Sequence, residues 1–299
     1  MATFGIAGAT LDFDVRDTSG GPAVVALHGL TSSRRREALM RLDIASRVEG
    51  VRLLRYDARG HGRSGGTADP ADYRWPALAR DLLGLLDHVV PGERVHGVGP
   101  SMGAGTLLHA ALADPGRFAS LTLMLPPTAW GTRRARSRDY ERSASAVEAD
   151  GVAALDAGAD DADLPPAARG RPRTGPDVRA ELLPAILRGA AATDLPAPEE
   201  LERIPVPVQV LAWTGDPGHP ESTAQTLRER LPAAGLSIAA TPDDVVWWSR
   251  LLAARLRRWE TLDPTVDGGP AGVREATGGR PRGDRVGVSP WKGRWFDSG

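Results

Sequence analysis

The feature that most constrains this chain is the rhythm of its apolar segments. Residues 9–18 alternate apolar and polar side chains, as a half-exposed strand does. Ala23-Val-Val-Ala-Leu27 is apolar throughout, the mark of a strand covered on both faces. Residues 51–56, 94–99 and 118–125 read as further strands. Between them, 35–48, 75–89 and 102–113 read as helices, with Leu82, Leu83, Leu85, Leu86 and Val89 on one stripe of the second. Such alternation builds βαβ units, so the fold class is α/β with a mostly parallel central sheet flanked by helices. The rhythm stops after Pro127. Residues 128–203 hold helix-like pieces (133–149, 177–190, 198–203) and no convincing strand, and 156–175 are rich in Asp, Ala, Pro and Gly. It then resumes as strand 206–213, helix 221–231, strand 235–240 and helix 243–259. The expected organisation is a core made of 1–127 and 204–259, a helical cap-like insertion over 128–203, and a Gly/Pro-rich tail over 260–299 that is expected to be poorly ordered.

Composition narrows the function classes. Of 299 residues, 37 are Lys or Arg and 38 Asp or Glu, for a net charge of -1. A near-neutral chain has no bulk attraction to nucleic acid or to anionic lipid. The absence of cysteine excludes disulfides, thiolate nucleophiles and Cys-ligated metal centres. No apolar run approaches the roughly 20 residues that span a bilayer. Residues 1–10 carry no basic stretch ahead of an apolar one, so a secretory signal is not expected and the cytoplasm is the expected location. There is no H-E-x-x-H and no carboxylate–His cluster at ligand spacing, so no metal is expected. Gly97-x-Gly99 lacks the third glycine of a dinucleotide loop, and no cofactor is expected.

The chemistry concentrates in two places at strand ends. Gly99-Pro-Ser-Met-Gly103 is a G-x-S-x-G between a strand and a helix. Small residues there permit a sharp turn that lifts the Ser101 hydroxyl above the C-terminal edge of the sheet. The helix that follows favours negative charge at its N-terminus. Leu27-His-Gly-Leu-Thr31 ends an earlier strand, and its glycine lets the backbone bend toward the nucleophile. The main-chain N–H groups of Leu30 and Met102 are the expected oxyanion donors. His28 itself reads as a structural, hydrogen-bonding histidine.

A third segment, Tyr56-Asp-Ala-Arg-Gly-His-Gly-Arg-Ser-Gly65, makes the pattern specific. With the two segments above in the same order, the chain resembles the α/β-hydrolase family over residues 10–127 and 205–259. In that family the stretch matching Asp57–Ser64 is a scaffold loop beside the site, so Arg59 and His61 are expected to be structural. The resemblance places the acid of a catalytic triad after strand 206–213, on Asp216 within Thr214-Gly-Asp-Pro-Gly-His-Pro220. It also implies a histidine just after the last strand, near Ala240–Asp243. None stands there: the six histidines are His28, His61, His88, His96, His109 and His219. A serine hydroxyl needs an adjacent base to be an effective nucleophile. His219, on the acid's own loop, is the expected replacement, able in principle to meet Asp216 with one nitrogen and Ser101 with the other, with His28 and His61 behind it. The competing reading has His219 capping the next helix or facing solvent.

The resemblance implies hydrolysis of a small carboxylic ester, lactone or thioester through an acyl-enzyme on Ser101, with a small-molecule partner and no nucleic acid or membrane. Acyl transfer to another acceptor stays open. So does a second class, a protein that keeps the fold, binds a small ligand and lacks efficient chemistry. In the insertion, Arg133, Arg134, Arg136, Arg138 and Arg142 read either as a solvated, salt-bridged helix face or as a clamp for a carboxylate or phosphate.

Overall fold

The computed structural model describes residues 2–17, 20–155, 164–172 and 174–260. The tail expected over 260–299 lies outside the described residues from 261 onward, as do residues 156–163 of the irregular stretch.

Strands β1 (Ala2–Ile6) and β2 (Ala9–Asp17) form a hairpin through Gly8, whose φ of 73° is one that glycine tolerates freely. β2 pairs antiparallel with β4 (Arg52–Tyr56). From there the sheet is parallel through β3 (Ala23–Ala26), β5 (Val95–Pro100), β6 (Phe118–Met124), β7 (Val208–Trp213) and β8 (Ala234–Ala239). The order is β1-β2-β4-β3-β5-β6-β7-β8. Apolar neighbours along a strand go to opposite faces: Val25 and Leu54 pack in one core cluster, Val24 and Leu53 in the other.

One face carries α2 (Trp75–Val89), α3 (Met102–Ala113) and α7 (Glu221–Arg230). The α2 stripe works as the spacing demands, with Leu82, Leu85 and Leu86 fully buried, each contributing about 1.5–3 kcal/mol of transfer energy. The other face carries the 3-10 turn Ile44–Arg47 and the C-terminal α8 (Pro242–Val246) and α9 (Trp248–Glu260). Two expected helices are broken. That over 35–48 is α1 (Arg34–Leu39) and the separate 3-10 turn, because Arg41 adopts φ 57° between them. That over 243–259 divides at Trp247. Trp247 stays exposed, whereas Trp248 is buried and stacks on Trp213 with centroids 6.3 Å apart.

Between β6 and β7, among the described residues, the insertion forms helices α4 (Arg133–Asp150), α5 (Leu183–Ala191) and α6 (Pro198–Leu201). Ala144 and Val147 of α4 pack on Leu183 and Leu187 of α5, with Leu30 of the loop after β3 against them. α5 starts six residues later than the pattern indicates. Its expected first turn is instead extended: Asp177 accepts from Gly62 N–H at 2.8 Å and donates its own N–H to Thr31 at 2.9 Å. The insertion is thus fastened directly to the two loops that flank the strand ends.

Candidate active site

Ser101 sits between β5 and α3 with φ 50° and ψ -109°. A non-glycine residue in that region holds strain of about 1–3 kcal/mol that its surroundings must offset. Its N–H donates to Met124 at the end of β6 (2.9 Å), and its carbonyl accepts from Gly105 N–H (3.1 Å). The turn needs its glycines for space. A Cβ on Gly103 would lie 2.9 Å from Leu27 Cβ and 3.0 Å from the His28 carbonyl oxygen, and one on Gly99 would lie 3.0 Å from Leu27 Cβ. α3 therefore enters hard against the loop that leaves β3.

That loop brings Gly29 to Ser101: a Cβ there would be 3.9 Å from Ser101 Cβ. Among the described residues, neither the Leu30 N–H nor the Met102 N–H has a hydrogen-bond partner. For Met102 this follows from its place in the first turn of a helix. Behind the loop, the buried carboxyl of Glu37 accepts from Gly29 N–H at 3.2 Å, and burial pushes that carboxyl up. No periodicity announces Glu37; α1 is short, and Glu37 is the one residue of it that is buried.

The loop after β7 carries Asp216 and His219. His219 Nδ1 lies 2.8 Å from Asp216 Oδ2, and His219 Nε2 lies 3.0 Å from Ser101 Oγ. Asp216 also accepts from Trp213 Nε1 at 2.6 Å and from the N–H groups of Gly218 (2.8 Å) and His219 (3.2 Å). Burial opposes its ionisation, but the hydrogen bonds and charge of His219, with the Trp213 and Gly218 donors, outweigh this and hold the carboxyl well below the usual range. An ionised carboxylate only accepts, so His219 Nδ1 carries the proton and Nε2 is left to accept from the Ser101 hydroxyl. Trp213 escaped the sequence reading; its only signal is its place three residues before the acid.

The other histidines are committed elsewhere. His28 Nδ1 donates to Gly29 O (2.8 Å), and Nε2 accepts from Ala58 N–H (2.9 Å); burial keeps the ring neutral by lowering its pKa. His61 is fully buried, donates to Arg59 O at 2.8 Å, and is pushed down to about 3 by burial and by the neighbouring His28. Arg59 forms a buried bidentate pair with Asp81 at 2.9 and 2.8 Å. His96 lies 2.8 Å from Ser120 Oγ, His109 contacts Asp194 O at 2.9 Å, and His88 stacks on Phe4. Neither His28 nor His61 therefore stands in for a late histidine.

Residues 22–149 match the family model described as the alpha/beta hydrolase fold. A Variovorax paradoxus protein provisionally named carbamate hydrolase RutD is 35% identical over 128 residues, which is 42% of this chain and 45% of that protein. The chain thus spans less than half the length of this curated relative. The enol-lactonase of Burkholderia xenovorans LB400 superposes with a TM-score of 0.66 over 87% of this chain and 100% of its own, at 21% identity. An esterase from Exiguobacterium antarcticum gives 0.67 over 84% and 97%, at 19% identity. On strand order, on the match over its N-terminal half and on these superpositions, this chain is an α/β-hydrolase-fold protein.

Proposed function

We propose that this chain is a serine hydrolase of small carboxylic esters, lactones or thioesters. The observation that carries the reading is the run of two contacts from Asp216 through His219 to the hydroxyl of Ser101. Ser101 Oγ attacks the carbonyl carbon as His219 Nε2 takes its proton. The charge that develops on the carbonyl oxygen meets the N–H groups of Leu30 and Met102, which are unspent in the folded protein. His219 then returns the proton to the leaving alkoxide or thiolate. The acyl-enzyme on Ser101 is cleared by water, with His219 again as base. Asp216 keeps the imidazole in the required tautomer and balances its charge. The esterase, lactonase and carbamate hydrolase names of similar proteins all describe acyl-bond hydrolysis, and they support this class.

A fluorophosphonate probe tests the reading. The wild-type chain should be labelled stoichiometrically and Ser101→Ala not at all. p-Nitrophenyl acetate should give a burst of one equivalent that Ser101→Ala removes. Absence of labelling, with turnover indifferent to Ser101→Ala, would leave a ligand-binding protein instead.

A further inference from the structure

Five arginines stand within ten residues at the start of α4, and the structure separates their duties. Arg133 is consumed by the fold: it donates to Thr193 O at 2.9 Å and to Ala190 O, and its guanidinium lies 4.6 Å from the centre of the Trp75 ring. Arg142 pairs with Asp139 at 2.5 Å. Arg134 and Arg138 face solvent. Arg136 is different. It is half-buried, on the same helix face as Arg133 and Tyr140. Its guanidinium lies 4.9 Å from the Tyr140 ring centre, and its Nε is buried without a hydrogen-bond partner. Among the described residues no carboxylate pairs with it. Its Nη2 is 3.7 Å from where a Cβ on Gly218 would sit, and Gly218 immediately precedes His219. The nearest acid on that loop, Asp216, is already engaged with His219, Trp213 and two main-chain N–H groups.

We propose that Arg136 recognises an anionic group on the substrate, so that the ester or lactone turned over at Ser101 carries a carboxylate. The proposal rests on the hydrolase reading for the site but not for the recognition itself. A half-desolvated guanidinium with no ion-pair partner among the described residues, beside a loop whose acid is already engaged, is a positive subsite. Stacking on Tyr140 fixes its plane, and its fork of donors suits a carboxylate oxygen pair. The 3.7 Å between Nη2 and the Cβ position of residue 218 places the guanidinium beside the loop that carries His219. The carboxylate so held belongs to the part of the substrate next to the reacting carbonyl, where binding orients that carbonyl toward Ser101.

The test compares mono-p-nitrophenyl succinate with its methyl ester, which replaces the terminal carboxylate by a neutral methyl carboxylate, with release of p-nitrophenol as the readout for both. Wild-type kcat/KM should favour the anionic ester by about 10- to 100-fold, the range of charge-assisted hydrogen bonds in a partly dry site. Arg136→Gln should collapse that ratio toward one, and Arg136→Lys should restore part of it. Equal wild-type rates on the two esters would overturn the proposal. So would an equal loss on both in Arg136→Gln, which would make the arginine a support for the His219 loop. Binding of both esters to the Ser101→Ala protein, followed calorimetrically, separates this from the hydrolase reading. Tighter, Arg136-dependent binding of the anionic ester upholds recognition even if turnover is absent. Equal affinities overturn it even if Ser101 proves to be the nucleophile.

Discussion

The carboxylate of Asp216 accepts from an indole, an imidazole and two main-chain amides, and this arrangement holds the His219 ring with its Nδ1 proton toward the acid. Replacing it by Asn introduces donors where only acceptors are wanted, so the imidazole loses its reason to keep the proton on Nδ1. Asp216→Asn should lower kcat for p-nitrophenyl acetate by about 10⁴-fold. Rapid-quench turnover checks this, with circular dichroism to show the fold retained. A fall of less than tenfold would mean that the tautomer is set elsewhere. At this scale the sequence is legible where a local rule forces a position. Ser101 is readable because a turn between strand and helix needs small neighbours, and Asp216 because it follows a strand end. His219 is readable only from its nearness to Asp216, since no pattern shows that a loop of Pro and Gly folds the ring back over the serine. Trp213 and Glu37 act through burial set by distant packing, and a one-dimensional reading has no access to that.

Elements carry the next constraint, since the site needs α3 and the loop after β3 in contact. Gly103 is the point of closest approach, and the atoms it would strike are the His28 carbonyl oxygen and the first side-chain carbon of Leu27, neither of which can swing away. Gly103→Ala should push the helix N-terminus back and carry the Met102 N–H with it. A displacement of that order costs about 10²-fold in kcat/KM, and the overpacking costs about 1–3 kcal/mol. Gly116→Ala is the control, because its Cβ would meet only Asp114 Oδ1 at an ordinary 3.5 Å. Kinetics and thermal melting of both variants check the claim, and similar behaviour of the two would refute it. Helices α2 and α3 are legible to the residue because an apolar stripe marks the first and the glycine turn at a strand end marks the start of the second. The breaks at Arg41 and Trp247 are not, since each is decided by what the following residues must pack against: the Ile44 turn on one face of the sheet, and Trp248 against Trp213. Short β1 is equally silent, because five residues of half-exposed hairpin carry too little periodicity.

Over the whole molecule, alternation was enough to foresee a parallel sheet covered on both faces. It was silent on where the insertion returns, because the Asp177 contacts with Thr31 and Gly62 join segments more than a hundred residues apart. Beneath those contacts lies a buried pair of neutral histidines, His28 and His61, with ring centroids 5.0 Å apart. Their burial gives the fold a predictable weakness to acid. Burial pushes the His61 imidazole down to about 3 in the folded chain, from an ordinary value of about 6.5. Between those two values the unfolded chain binds a proton that the native chain does not, so stability falls as pH falls across that window. At pH 5 the cost from His61 alone is about 2 kcal/mol, and His28 acts in the same direction. Glu37 and Asp81, both pushed up by burial, work the opposite way. Asp57 and Asp216 are held low; their stabilisation is present above the ordinary carboxylate range and is lost only as pH falls through it. Urea midpoints for the wild type should therefore drop between pH 7.5 and 5, before any carboxylate of the site is protonated. His61→Gln, which cannot titrate, should start lower at pH 7.5 and decline less steeply. Parallel slopes for the two proteins would assign the acid sensitivity to groups outside this pair.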